Sequence, residues 1–248
     1  MEKKYRYKII IEYVGTCFVG WQRQQNGLSI QEVIEKAILE LTKEHVVIYA
    51  AGRTDSGVHA LGQVVHFDLS REYDPYKLMA SINHFVRPHA ISVVNCDIVD
   101  ETFHARFSAQ KRHYKYIILN RESNTVLHKD RMWHIHDKLD VDKMTQAAQI
   151  LIGKHDFSSF RAKECQSASP VKTLDKIDII VDGDFITFEI SAKSFLHHMV
   201  RNIMGTLKSV GDGKINPEVI RDILLAKNRS AAGITAPAAG LYFVKVDY

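Results

Sequence analysis

Strand-sized and helix-sized apolar patterns recur along this chain in one order, βαββαβ, and that order is run through twice. The first strand lies over residues 5–14, where Tyr5, Tyr7, Ile9 and Ile11 alternate with Arg6, Lys8, Ile10 and Glu12, the period-two signature of a sheet with one buried face. A capping box, Ser29-x-x-Glu32, opens a helix in which Ile30, Val33, Ile34, Ala37, Ile38 and Leu41 repeat at helical spacing. Strands follow over 46–50 and 63–69, then a helix over 75–85 with Pro75 at its start, then a strand over 91–99. Beyond Arg106 the series resumes with a strand over 113–119, a helix over 140–152 closed by Gly153, and strands over 177–181 and 185–190. A helix over 195–210 and a strand over 241–246 complete it. The order repeats while the residues do not, so the economical architecture is α+β. It comprises two ferredoxin-like βαββαβ units, 1–105 and 106–248, each an antiparallel sheet with helices on one face. Residues 154–171, rich in serine, read as a long loop in the second unit, of a length more often functional than idle.

At about 150 residues per domain, 248 residues make one large domain or two small ones, enough to bury a core without staples. Hydrophobic residues at 46% and charged residues at 25% exclude a disordered or collagen-like chain. No apolar run approaches the ~20 residues of a membrane span, and the charged start Met1-Glu2-Lys3-Lys4 leads into no signal-peptide core. A cytoplasmic, unprocessed protein without membrane insertion is expected. Cys17, Cys96 and Cys165 fit neither a disulfide framework nor a CxxC motif and are expected to be free thiols. Residues 1–105 hold 11 Lys+Arg against 13 Asp+Glu, whereas residues 106–248 hold 22 against 16, so the basic excess belongs to the second half. That asymmetry suits a polyanionic partner such as nucleic acid, although a basic soluble enzyme has the same balance.

Three segments carry candidate chemistry. The stretch Ala51-Gly52-Arg53-Thr54-Asp55-Ser56-Gly57-Val58-His59-Ala60-Leu61-Gly62 packs three glycines, an arginine, an aspartate and a histidine between two strands where a two-residue hairpin would serve. Glycines admit positive φ and close approach of a ligand, and Arg53 is placed to hold Asp55 ionised or to meet a phosphate. An Asx turn built on Asp55 is the bland alternative, and the density of polar groups favours a site. In 195–205, at 100° per residue, Leu196, Met199, Val200, Ile203 and Leu207 form a core stripe from which Arg201 points away, either into a cleft or into solvent. On such a helix His197 and His198 diverge by about 100°, which argues against joint metal ligation. In Lys111-Arg112-His113-Tyr114-Lys115-Tyr116, a basic and aromatic strand, Tyr114 and Tyr116 share a face suited to base stacking, or simply to a half-buried sheet.

Taken together the segments resemble the tRNA pseudouridine synthase A family. The resemblance rests on Gly15-x-x-Phe18-x-Gly20-Trp21-Gln22-Arg23-Gln24, Gly52-Arg53-Thr54-Asp55-x-Gly57-Val58-His59-Ala60 and Phe103-His104-Ala105-Arg106-Phe107-Ser108-Ala109. It continues in Arg112-x-Tyr114-x-Tyr116, Asp156-Phe157-x-Ser159-Phe160, His197-His198-Met199-Val200-Arg201-Asn202 and Ala236-Pro237-Ala238-x-Gly240-Leu241, so it runs from the first strand to the last. The resemblance implies two ferredoxin-like or RRM-like halves with a central catalytic cleft. It also implies a homodimer, no metal or organic cofactor, and uridines 38, 39 and 40 of the tRNA anticodon arm as substrate. It makes Asp55 the catalytic carboxylate, Arg201 its paired cation and Tyr114 the active-site aromatic. Arg53, Gly57, His59, Arg23, Arg112 and Leu241 become substrate contacts. A non-catalytic RNA-binding protein competes with this reading, but an aspartate in the Gly-rich loop would repel phosphate there. A histidine-based metal hydrolase finds no HExxH and no Cys/His cluster at ligand spacing.

Overall fold

In a computed structural model that describes residues 3–248, the chain begins with β1 (Tyr5–Tyr13), α1 (Ile30–Thr42), β2 (Tyr49–Ala50), β3 (His59–Leu69), α2 (Pro75–Val86) and β4 (Ile91–Val99). It continues with β5 (Lys111–Asn120), β6 (Trp133–Ile135), α3 (Val141–Ile150), β7 (Gly153–Asp156), β8 (Val171–Asp182) and β9 (Phe185–Ala192). The last elements are α4 (Met199–Gly211), α5 (Val219–Ala226) and β10 (Leu241–Asp247). Two units divide the chain, one of Met1–Gln110 with Tyr242–Tyr248 and one of Lys111–Leu241. Both are α+β with mainly antiparallel sheets, as the sequence pattern predicts.

In the first unit β1 lies between β4 and β3, antiparallel to both. The period-two pattern is obeyed: Tyr7, Ile9, Ile11 and Tyr13 are buried on one face of β1. Ile30, Ile34 and Ile38 of α1 and Leu78 and Ile82 of α2 are buried with them. The caps follow the sequence. Ser29 Oγ accepts from Glu32 N at the start of α1, and Asp74 accepts from Lys77 N ahead of Pro75 at the start of α2. β2 is shorter than the expected 46–50 and pairs only through Tyr49↔His66 and Ala50↔Val65. Further along β3, its N-terminal end pairs instead with β10, in parallel, through Tyr242↔His59 and Phe243↔Ala60. The strand expected to finish the second unit therefore serves the first, and the boundary falls after Gln110 instead of after Ala105.

In the second unit β5, β9, β8 and β7 are successive antiparallel neighbours, and β6 adds to β5 in parallel. The core gathers Tyr116 and Ile118 of β5, Ile177 of β8, Phe188 of β9, Met144 of α3 and Ile203 of α4. Part of the expected loop over 154–171 is strand, because Gly153↔Leu174 through Asp156↔Val171 ties it to β8. The helix expected from residue 195 starts at Met199: His198 is left-handed, with φ 62°, a conformation that cannot continue a right-handed helix. α4 is also buried on nearly every side, where one apolar stripe is expected. The short β6 and the helix α5, with Ile220, Ile223 and Leu224 turned inward, stand where the sequence pattern assigns no element. Cys17, Cys96 and Cys165 are free thiols. Among the described residues no helix is long and apolar enough to cross a membrane.

Candidate active site

The Gly-rich segment between β2 and β3 is held from two sides. On its own strand side, Ala51 N donates to Val64 O (2.8 Å) and Gln63 Nε2 to Gly52 O (2.6 Å). On the other side stands the stretch from Gly15 to Trp21. Trp21 N donates to Thr54 O (3.0 Å), Ser56 Oγ to Phe18 O (3.0 Å) and Gly15 N to His59 Nδ1 (3.1 Å), and Gly20 bridges to Asp55. Two glycines make this approach possible. A Cβ on Gly15 would lie 2.0 Å from Val58 O, and one on Gly20 would lie 2.8 Å from Thr54 O at a φ of +116°. The clamp is itself anchored, since the first amides of α1, Ile30 N and Gln31 N, donate to Gly20 O and Trp21 O.

Beneath the loop the Tyr13 hydroxyl shares a hydrogen bond of 2.7 Å with Thr54 Oγ1. Burial pushes that hydroxyl up to about 12, so at neutral pH it stays protonated and serves as a fixed post. Gly57 takes the turn at φ +78°, and Val58 N closes it on Asp55 O at 3.2 Å. Asp55 therefore sits on a backbone fixed before and after it, with a half-buried side chain. A carboxylate so placed is preorganised to face a developing positive charge or to act as a nucleophile.

In the second unit the C-terminal motif fixes two of the expected residues' neighbourhoods. Arg201 Nε donates to Ala236 O (2.8 Å) while Ala236 N donates back to Arg201 O (3.1 Å), so side chain and backbone of Arg201 grip one residue. Tyr116 OH donates to Pro237 O (2.8 Å), and Gly240 leaves room for the Tyr116 ring, which a Cβ would meet at 2.5 Å. Tyr114, two residues earlier on β5, is half-buried with its ring edge-on to Phe195 at 5.0 Å. The rings of His197 and His198 lie 4.0 Å apart. The divergence expected of them assumed a helix, and both precede α4.

The expected substrate contacts fall into two groups. Arg53 is exposed and Gly57 partly so. Arg23 is exposed and ion-paired to Glu35 at 3.2 Å. His59, Arg112 and Leu241, by contrast, are buried, at 1%, 9% and 6% exposure. His59 packs on Tyr242 with ring centroids 4.8 Å apart and receives Gly15 N, while Arg112 Nη1 donates to Lys193 O at 2.7 Å. These three hold the surrounding chain in place and present little surface to a substrate. Sequence reasoning passed over Tyr13 and Thr54, whose pairing joins residues far apart in the chain. It matched the motif at 103–109 but gave none of its residues a role in the turn that forms there, where Arg106 N and Phe107 N donate to His104 Nδ1 and Phe107 stands 76% exposed.

The half-buried aspartate on its doubly clamped Gly-rich loop is the candidate centre of this α+β chain, and comparison with known proteins puts the chain among isomerases that act on tRNA uridines. The family described as tRNA pseudouridine synthase is matched over residues 9–108 and 147–248, more than half of the sequence, and the chain belongs to that family. Its similarity to tRNA pseudouridine synthase A of Ehrlichia chaffeensis (strain ATCC CRL-10679 / Arkansas) is 54% identity over 244 residues, 98% of this chain and 100% of that protein. The tRNA pseudouridine synthase A of Ehrlichia canis (strain Jake) is likewise 54% identical over 244 residues, with the same coverage. Among solved structures, one chain of a Cbf5-Nop10-Gar1 complex is 9% identical, with 96% of this chain and 48% of that one covered. Its TM-score of 0.39 is too low to carry an argument.

Proposed function

We propose that this chain converts uridine to pseudouridine at positions 38, 39 and 40 in the anticodon arm of tRNA. In this reading it works in the cytoplasm as a homodimer. The observation that carries it is the full-length identity with two proteins named tRNA pseudouridine synthase A, joined to the clamped loop that presents Asp55. The reaction breaks the N-glycosidic bond, turns the uracil and rejoins it to the ribose through carbon. Atoms and electrons are conserved, so neither a redox cofactor nor an external energy source is called for.

Asp55 acts beneath the ribose, trapping or stabilising a cation-like C1′ or taking a proton from C2′. The family resemblance pairs Arg201 with this carboxylate as its counter-charge, and Tyr114 stacks on the uracil or relays a proton. A stacked target base costs a few kcal/mol to extrude, which phosphate contacts, Arg53 among them, help to offset.

The test is pseudouridine mapping on a tRNA anticodon arm incubated with wild-type protein or Asp55→Asn. The loop is held largely through main-chain atoms, so the variant is expected to keep the fold and tRNA binding while losing isomerisation. Turnover near wild type in Asp55→Asn would overturn the assignment of this residue. Tight binding without product in wild type would turn the reading to a non-catalytic RNA-binding protein.

A further inference from the structure

Within the second unit Arg161, Lys163, Asn228, Arg229, Ser230 and Ile234 line an open cavity of about 640 Å3. Its three cations lack an acidic partner: among the described residues no carboxylate lies within ion-pair distance of any of them, whereas Lys227, beside the cavity in sequence, meets Asp156 Oδ2 at 3.6 Å. Arg229 spends its guanidinium on neutral oxygens: Nη1 on Gly233 O (2.9 Å), and Nη2 on Asn202 Oδ1 and Thr235 Oγ1 (both 3.0 Å). Arg161 Nη2 likewise donates to Cys165 O (2.6 Å) and Ser167 O (2.8 Å). These bonds orient both guanidinium groups without neutralising them. Burial also lowers the Arg229 guanidinium from its ordinary value, the mark of a desolvated charge with no anion beside it. A half-buried cation held only by neutral oxygens keeps its full positive charge, and an anion entering the cavity from outside would meet it.

We infer that this cavity is a phosphate site that seats a nucleotide of the RNA substrate through its backbone phosphodiester. Guanidinium groups suit phosphate oxygens, and fixing them in advance leaves less rotamer freedom to lose on binding. The volume lies in the range of small-ligand pockets, about 300–1,000 Å3. Ile234, 63% exposed, offers an apolar surface to the attached ribose or base. The inference rests on the RNA-modifying function proposed above and adds a contact that none of the candidate residues at the loop or on α4 supplies.

The experiment measures tRNA affinity against salt for wild type, Lys163→Gln and Arg161→Gln/Lys163→Gln, with melting temperatures recorded for each. Lys163 is exposed, so its variant keeps the fold. Each lost phosphate contact is expected to reduce the slope of log K against log salt by about 0.7 to 0.9. KM for tRNA rises while kcat at saturating tRNA stays at the wild-type level. Lys163→Glu should weaken binding further in the same direction. Wild-type slopes and affinities in these folded variants would overturn the inference. So would variants that lose stabilisation by inorganic phosphate while their tRNA binding is intact, because the cavity would then serve free phosphate. Wild-type protein that neither binds nor modifies tRNA would sink the proposed function itself, which separates the two failures.

Discussion

His66 on β3 shows how a single side chain can tie the stability of the first unit to pH. Its ring is 3% exposed, accepts Ala105 N on Nδ1 at 3.2 Å, stacks on Tyr49 at 5.1 Å and meets His104 at 4.6 Å. Burial, with His104 and Arg6 acting in the same direction, brings the imidazole down to about 4. The unfolded chain takes up this proton near the ordinary value of about 6.5, so it is protonated first as the pH falls. The stabilisation is whole above that value and is lost as the pH drops towards 4. Melting temperatures between pH 7.5 and 4.5 should fall by several degrees more in wild type than in His66→Phe, and parallel curves would refute the assignment. Legibility at this scale was uneven. Asp55 stands out as a candidate because polar groups crowd its loop, and the Gly15-to-Trp21 stretch was matched as a motif. That the stretch closes over Asp55 could not be read, since the contact joins backbone atoms more than thirty residues apart.

At the scale of elements, α4 inverts a rule about glycine. An alanine in mid-helix is ordinarily better than glycine by about 1 kcal/mol, yet a Cβ on Gly205 would lie 1.7 Å from Ile234 O. Gly233, in the irregular segment that faces α4 here, has its N donating to Thr206 Oγ1 at 2.9 Å. Gly205→Ala should therefore lose stability, by about 1–3 kcal/mol as overpacked sites do, and urea unfolding measures it. A midpoint at or above wild type would contradict this packing. Periodicity located α4 and not its first residue, because the start is set by one left-handed φ at His198 that no apolar pattern encodes. It also overextended β2. Val47 has the side chain of a strand former but is 59% exposed, and the edge of β3 is completed by Tyr242 and Phe243 from the far end of the chain.

Across the whole molecule, the first unit holds 13 Lys+Arg against 14 Asp+Glu and the second 20 against 15, so the basic excess read from the sequence survives the redrawn boundary. The boundary matters more for stability. Phe243 is fully buried, Gln110 N donates to Asp247 O at 2.8 Å, and Tyr248 OH donates to Ala105 O at 2.9 Å. Deleting residues 242–248 should thus raise amide hydrogen exchange over 59–69 and 103–110 well above its level over 171–192. Unchanged protection in the first two segments would show that β10 is dispensable to them. The same return of the chain has a consequence during biosynthesis. A ribosome delivers Met1–Gln110 early, but the residues that cover the end of β3 at His59 and Ala60 emerge only after all of Lys111–Leu241 has been made. The half that is made first is then the half that must wait, with a strand edge open, until the other half has been synthesised.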